Sequence, residues 1–201
     1  MRRHVTLLNR LFRGLLTALL GLAMVGCAGL PKGTSAVQGF ELDRYLGRWY
    51  EIARLDHGFE RGLDCVSASY SRRDDGGVRV INRGVNLASG EISQAEGKAY
   101  FVDDPQTGRF KVSFFGPFYG GYNILALDED YRHVLIAGSD RDYLWILART
   151  PMIDETTHTR LVARARALAF PVDELIDVVQ GSACQPYRME TATAERASGG
   201  G

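Results

Sequence analysis

The sequence predicts an all-β fold: an eight-stranded antiparallel up-and-down β-barrel with one C-terminal α-helix packed outside it. Three observations predict it. Eight short apolar segments alternate with turn-forming residues between positions 47 and 149. Within most of them apolar and polar side chains alternate, giving each strand one greasy and one wet face. A single helical pattern follows the last segment, and no strand–helix–strand repeat comes before it.

Taken in order, the strand-like segments are 47–55, 65–71, 77–82, 94–102, 109–115, 122–127, 134–138 and 143–149. The connections read "DDGG" (74–77), "ASG" (88–90), "DDPQTG" (103–108), "DEDY" (128–131) and "SDRD" (139–142). Glycine tolerates positive φ, and Asp bonds to its own backbone, so these are hairpin turns. "GPFYGG" (116–121) has neither the Lys-Ser/Thr pair nor the following helix of a phosphate loop, and reads as a tight crossover. The helix is expected over 154–169, capped by Asp154 and carrying Leu161, Ala165 and Leu168 on one narrow stripe. A short strand is expected over 176–180.

Eight such strands can close on themselves, which removes the sheet edges. The interior is then either filled by side chains or just wide enough for one small ligand. Parity says what lines it. If Cys65 points outward, Val66, Ala68 and Tyr70 point inward; outward Arg79 turns Val78, Val80 and Asn82 inward. Outward Lys98 gives Ala99 and Phe101, and outward Lys111 gives Phe110, Val112 and Phe114. The wall is apolar and aromatic. The ligand-cavity candidates are Val66, Ala68, Tyr70, Val80, Asn82, Phe101, Val112 and Phe114. Segment 143–149, "YLWILAR", is apolar on both faces, so parity leaves the side taken by Trp145 open.

The chain ends point to export. Arg2, Arg3, Arg10 and Arg13 form a cationic start without an acidic residue, and "GLLTALLGLAMV" (14–25) follows. That run is too short for the roughly 20 residues of a membrane-spanning helix, so 1–26 reads as a signal peptide. Its end, "MVGCAG" (24–29), resembles a bacterial lipobox, with Met24 where Leu is usual, and marks Cys27 for lipid attachment. A soluble exported protein cut nearby is the alternative. Residues 27–38 are expected as a flexible tether, 39–187 as the domain, and 188–201 as a disordered tail. Cleavage would take four arginines with it and leave 20 basic against 24 acidic residues, a formal charge of −4. That balance argues against nucleic acid as a partner.

Cys65 and Cys184 remain, an even pair that suggests a disulfide in an oxidising compartment; two free thiols, or a reactive Cys65, are the alternatives. His57, His133 and His158 show no metal spacing, and no nucleophile elbow is present. No metal site, cofactor or catalytic set is therefore expected.

"GRWYEIARLDHGFERG" (47–62), "FFGPFYGGYNILALDEDYRHVLIAG" (114–138) and "DRDYLWILARTP" (140–151) together resemble the bacterial outer-membrane lipocalins and the apolipoprotein D-like branch of the lipocalin family. The resemblance covers about 40–187 and implies the lipocalin calyx. It implies a barrel-closing set of Gly47, Trp49, Asp130, Tyr131 and Arg149, with the Arg149 guanidinium across the Trp49 ring. It supports the Cys65–Cys184 bridge. Loop 56–64 would arch over the open end with Phe59 and Leu63 on its rim. The function implied is binding, storage or transport of a fatty acid or lysophospholipid for envelope lipid maintenance, by a protein anchored on the periplasmic side of the outer membrane. A lipocalin-type enzyme using Cys65, or a haem or pigment binder, is the alternative.

Overall fold

In the computed structural model, which describes residues 29–188, eight strands run antiparallel in chain order. They are β1 (Gly47–Leu55), β2 (Asp64–Arg72), β3 (Val78–Asn86), β4 (Glu91–Phe101), β5 (Arg109–Ser113), β6 (Gly120–Leu127), β7 (His133–Ala137) and β8 (Leu144–Ala148). β1 closes the barrel by pairing on both sides: Trp49 lies opposite Ala68 of β2, and Tyr50 opposite Ala148 of β8. The strand directions place turns 56–63, 87–90, 114–119 and 138–143 at one end, the mouth. The other end is plugged. A short helix, α1 (Leu42–Tyr45), crosses it, and Tyr45 packs on Phe40, Trp49 and Tyr70 with ring centroids 5.2, 4.9 and 5.5 Å away.

The second helix, α2 (Glu155–Ala167), is capped by Asp154, whose Oδ1 accepts from the Thr157 N–H at 2.9 Å. Its stripe, Leu161 and Ala165, is buried on the outer face of the barrel with Ala53, Leu135, Leu144 and Ile146. That settles strand parity in β8. Leu144 and Ile146 lie under the helix, while Trp145 and Leu147 pack with the residues of the interior.

Four expectations differ from the structure. The stretch 29–38, expected as a loose tether, is hydrogen-bonded to the barrel wall. The Asn123 amide donates to the Gly29 carbonyl at 2.9 Å, Val37 N–H donates to Ile124, and Gly108 N–H donates to Val37. Val37 completes the β6 edge beyond the point where β5 stops pairing, and Asn123 is fully buried beneath the segment. β3 and β4 are longer than expected, because 83–86 pairs with 91–94; the β4 half of this extension is exposed, while Gly84 and Val85 in the β3 half are buried. β5 ends at Ser113, two residues early, where the chain bends into the 114–119 turn. β9 (Leu175–Asp177) is shorter than expected and pairs with the mouth end of β1, after which the chain turns to place Cys184. The signal segment 1–26, Cys27 and residues 189–201 lie outside the described residues.

Candidate functional site: the barrel interior

The inner wall follows from register. Tyr70 sits opposite Val80, Val78 opposite Ala99, and Ala99 opposite Val112. Phe101 lies opposite Phe110, Phe110 opposite Tyr122, and Ile136 opposite Trp145. Ala68 faces Asn82 across β2 and β3, and the Val66 side chain stands over Gly84. The structure therefore brings all eight cavity candidates to one surface. Phe101, Val112, Phe114, Tyr122 and Trp145 pack against this cluster but are only partly buried, so the wall keeps accessible apolar surface.

At the plugged end the barrel-closing residues converge, with one exception. The Arg149 guanidinium carbon lies 4.0 Å from the Trp49 ring centroid. Its nitrogens donate to the carbonyls of Arg44, Arg48 and Tyr131 at 2.7, 3.0 and 3.2 Å. A cation on an indole face contributes roughly 0.5–2 kcal/mol, more when water is kept away. Gly47 has φ +95° and a Cβ there would sit 3.3 Å from Arg149 Nη1, so conformation and space both demand glycine. Tyr131 hydroxyl accepts from the Glu41 N–H at 2.8 Å. Asp130 is exposed in the adjoining turn.

Above Trp49 lies a chain of three phenols. Tyr122 hydroxyl is 2.6 Å from that of Tyr45 and 2.9 Å from that of Tyr70. Burial pushes all three well above the ordinary phenol value.

Nearer the mouth the wall carries charge. Trp49 and Glu51 share strand parity, and a bulge between Glu51 and Ala53 turns Arg54 to the same side. Arg54 Nη1 donates to Glu51 Oε1 at 2.8 Å, and Nη2 donates to the carbonyls of Glu60 and Leu63 at 2.9 and 3.1 Å. The loop 56–63 thus folds down over the β1–β8 side instead of merely framing the opening. Glu60 Oε2 accepts from Trp145 Nε1 at 3.0 Å and lies 3.1 Å from His57 Nε2. Burial would raise the Glu60 carboxyl, but the His57 and Trp145 partners outweigh it and hold it below its ordinary value. Burial, reinforced by the Glu60 charge, holds Glu51 well above the ordinary carboxylate value despite Arg54. The two carboxyls are thus pushed in opposite directions, Glu51 toward its protonated form and Glu60 toward its charged one. Arg54 Nε, His57 Nδ1 and Asn82 Oδ1 are buried with no hydrogen-bond partner among the described residues.

Of the two rim residues expected from the loop, Phe59 is 72% exposed and stacks on Tyr143 at 5.9 Å. Leu63 is half-buried beside Gly84. Sequence reading missed Glu51, His57 and Glu60 as interior groups. The signal for Glu51 was present, since it lies two residues after Trp49 on the inward parity. The other two come from a loop, where parity carries nothing. Cys65 and Cys184 form a disulfide, so Cys65 has no thiol to act as a nucleophile.

The comparisons agree with this architecture. A family model described as a lipocalin-like domain matches residues 40–180. The outer membrane lipoprotein Blc of Citrobacter freundii is 58% identical over 153 residues, covering 76% of this chain and 86% of that protein. Apolipoprotein D of Bos taurus is 35% identical over 131 residues, covering 62% of this chain and 68% of that protein. Insecticyanin from the tobacco hornworm Manduca sexta superposes with a TM-score of 0.62 at 21% identity, covering 79% of this chain and 90% of that structure.

Proposed function

The chain belongs to the lipocalin family, and on that premise we propose that it binds a single-chain amphiphile, a fatty acid or lysophospholipid, in the barrel. It would store or carry that lipid at the periplasmic face of the outer membrane, held there by acylated Cys27. The observation that carries the reading is the inner wall: apolar, aromatic, and keeping accessible surface at Phe101, Val112, Phe114 and Tyr122. The acyl chain lies against this side. The polar end lies toward Arg54, His57 and Asn82, whose unpartnered atoms offer two nitrogens and one carbonyl oxygen.

Magnitudes favour a carrier over a permanent cofactor site. Burying 12–16 methylenes yields a gross ~10–13 kcal/mol at about 0.8 each. Association and ordering of the chain take back roughly half or more, leaving affinity of about micromolar order. Such a ligand is retained yet exchangeable. The anchor supports the same reading, because the Blc relative is named an outer membrane lipoprotein and a tethered binder meets membrane lipid at high local concentration. Membrane maintenance under stress would use a carrier of this kind.

The decisive experiment is native purification, organic extraction and mass spectrometry of what is released. A stoichiometric single-chain lipid is expected, and titration of the delipidated protein should change the emission of Trp145, which faces the interior. Absence of extracted lipid together with unchanged emission on adding lysophospholipid or fatty acid would overturn the proposal. A Soret band in the purified protein would select the haem or pigment reading instead. Cys27→Ser should move the protein from the membrane to the soluble periplasm; if it still sediments with membranes, the anchor is elsewhere.

A further inference from the structure

The described chain begins at the mouth. The Gly29 carbonyl accepts from Asn123 Nδ2 near the mouth end of β6, and Gly29 also lies beside Ser139 in the β7–β8 turn. Arg141, in that same turn, donates to the Lys32 carbonyl at 2.8 Å and fixes the segment further. Cys27 precedes Gly29 by two residues, a covalent reach of at most about 7 Å. Gly29, the first described residue, lies at the open rim, so a lipid on Cys27 would reach the membrane from that end and not from the plugged end.

The same rim carries large exposed aromatics. Phe115 is 79% exposed and Phe118 is 77% exposed, both in the 114–119 turn that leads into β6, and Phe59 stands across the opening. Exposed phenylalanines near one another on a soluble surface mark a contact with something apolar. Turns 87–90 and 114–119 contain no charged residue. In the turn 56–63, Asp56 is paired with Arg61 and Glu60 is buried, while the turn 138–143 keeps Asp140 and Asp142 exposed on either side of Arg141. The plugged end is the opposite. Turns 73–77, 102–108 and 128–132 hold seven Asp and Glu against two Arg. The two ends of the barrel differ: the mouth carries the exposed phenylalanines and two turns without charge, whereas the plugged end carries the larger acidic excess. Phenylalanine side chains bury into the boundary between headgroups and acyl chains, and an acidic surface is repelled by anionic lipid.

We propose that the mouth rests on the bilayer, with Phe115 and Phe118 inserted at the interface and Phe59 at its edge, so that lipid passes between membrane and barrel without crossing water. The inference rests on the reading that Cys27 is acylated, and it adds the orientation that the anchor imposes.

The test uses the acylated full chain in vesicles of phosphatidylethanolamine and phosphatidylglycerol, with F118W at the rim and V102W at the plugged end, where Val102 is 36% exposed. Trp49 and Trp145 supply a background read from the unsubstituted protein. Lipids brominated on the acyl chain should quench the F118W emission at least twofold and leave V102W unchanged. Equal quenching of both, or of neither while the protein still floats with vesicles, overturns the orientation. A blue-shifted F118W emission insensitive to bromine would mean that protein, such as a second copy, covers the rim, and also overturns it. Failure to float, with the wild-type chain behaving like Cys27→Ser, removes the anchor itself and the proposal with it. In the Cys27→Ser background, replacing Phe115 and Phe118 by Ser should weaken residual vesicle binding about tenfold or more, since two aromatic faces are withdrawn. Unchanged binding would count against insertion.

Discussion

Arg54 shows how a strand irregularity decides chemistry. Without the bulge after Glu51, the two residues would face opposite sides of the wall, and parity could not have anticipated their hydrogen bond. Trp49 and Arg149, by contrast, were legible from sequence because a family motif names them. The upward shift at Glu51 gives a test by denaturant unfolding. Glu51→Gln keeps an acceptor for Arg54 and removes only a proton-carrying group, so stability should change by less than about 1 kcal/mol. Arg54→Met removes the donor to the Glu51 carboxyl and to the Glu60 and Leu63 carbonyls and leaves those acceptors buried, and should cost roughly 3–5 kcal/mol. Equal losses for the two variants would mean that Glu51 is ionised. The phenols predict the alkaline limb. Their folded values lie above the unfolded value near 10, so their contribution is complete below pH 10 and fades as pH rises beyond it. Absorbance titration at alkaline pH should show Tyr45, Tyr70 and Tyr122 ionising last, together with unfolding. Replacing Tyr122 with Phe should break the chain of hydroxyls and move that transition.

Elements were legible in proportion to how cleanly their alternation marks a buried face. β1 coincides with its expected span because an apolar run is bounded by Gly47 and by the polar loop. β3 and β4 extend past theirs because the first residues of β4 are exposed and mostly polar, and because the end of β3 is covered by Leu63 of the loop 56–63, a contact that strand alternation does not mark. The wall segment 29–38 was missed for a related reason: its hydrogen bonds are to the barrel backbone, and its composition resembles that of a linker. β4 also carries a prediction about room inside the barrel. A Cβ on Gly97 would lie 2.8 Å from the Phe114 ring and 2.8 Å from the Ser113 carbonyl oxygen. The ring can turn, but the carbonyl is fixed by the β4–β5 pairing. Gly97→Ala should therefore cost about 1–3 kcal/mol by overpacking. The displaced Phe114 ring should also narrow the interior and weaken lysophospholipid binding in the Trp145 emission titration. Unchanged affinity would place the acyl chain away from Phe114.

For the molecule as a whole, turn spacing and parity reached the closed barrel, and the cysteine pair with the family resemblance anticipated one of the two ties that hold its last segment to the mouth; the Gln180 tie carried no sequence signal. Two ties act there. The disulfide joins Cys65 in β2 to Cys184, 119 residues later. Beside it, the Gln180 amide donates to the carbonyls of Glu51 and Val66 at 2.9 and 2.8 Å, and Cys65 N–H donates to Val179 at 2.9 Å. The chain-entropy argument assigns about 4–5 kcal/mol to closing so long a loop. That effect acts on the unfolded chain and needs no change in the barrel itself. Replacing both cysteines by serine should therefore lower the denaturation midpoint and raise the denaturant slope, since the open unfolded chain exposes more surface. Lipid binding at 25 °C should survive, because Gln180 still spans β1 and β2. Adding Gln180→Ala to the cysteine-free chain should then loosen the mouth, where loop 56–63 is held by Arg54, and weaken binding where the cysteine changes alone did not. If the cysteine-free protein unfolded at an unchanged midpoint, the C-terminal segment would not be folding as one unit with the barrel. The two ties would then hold only each other.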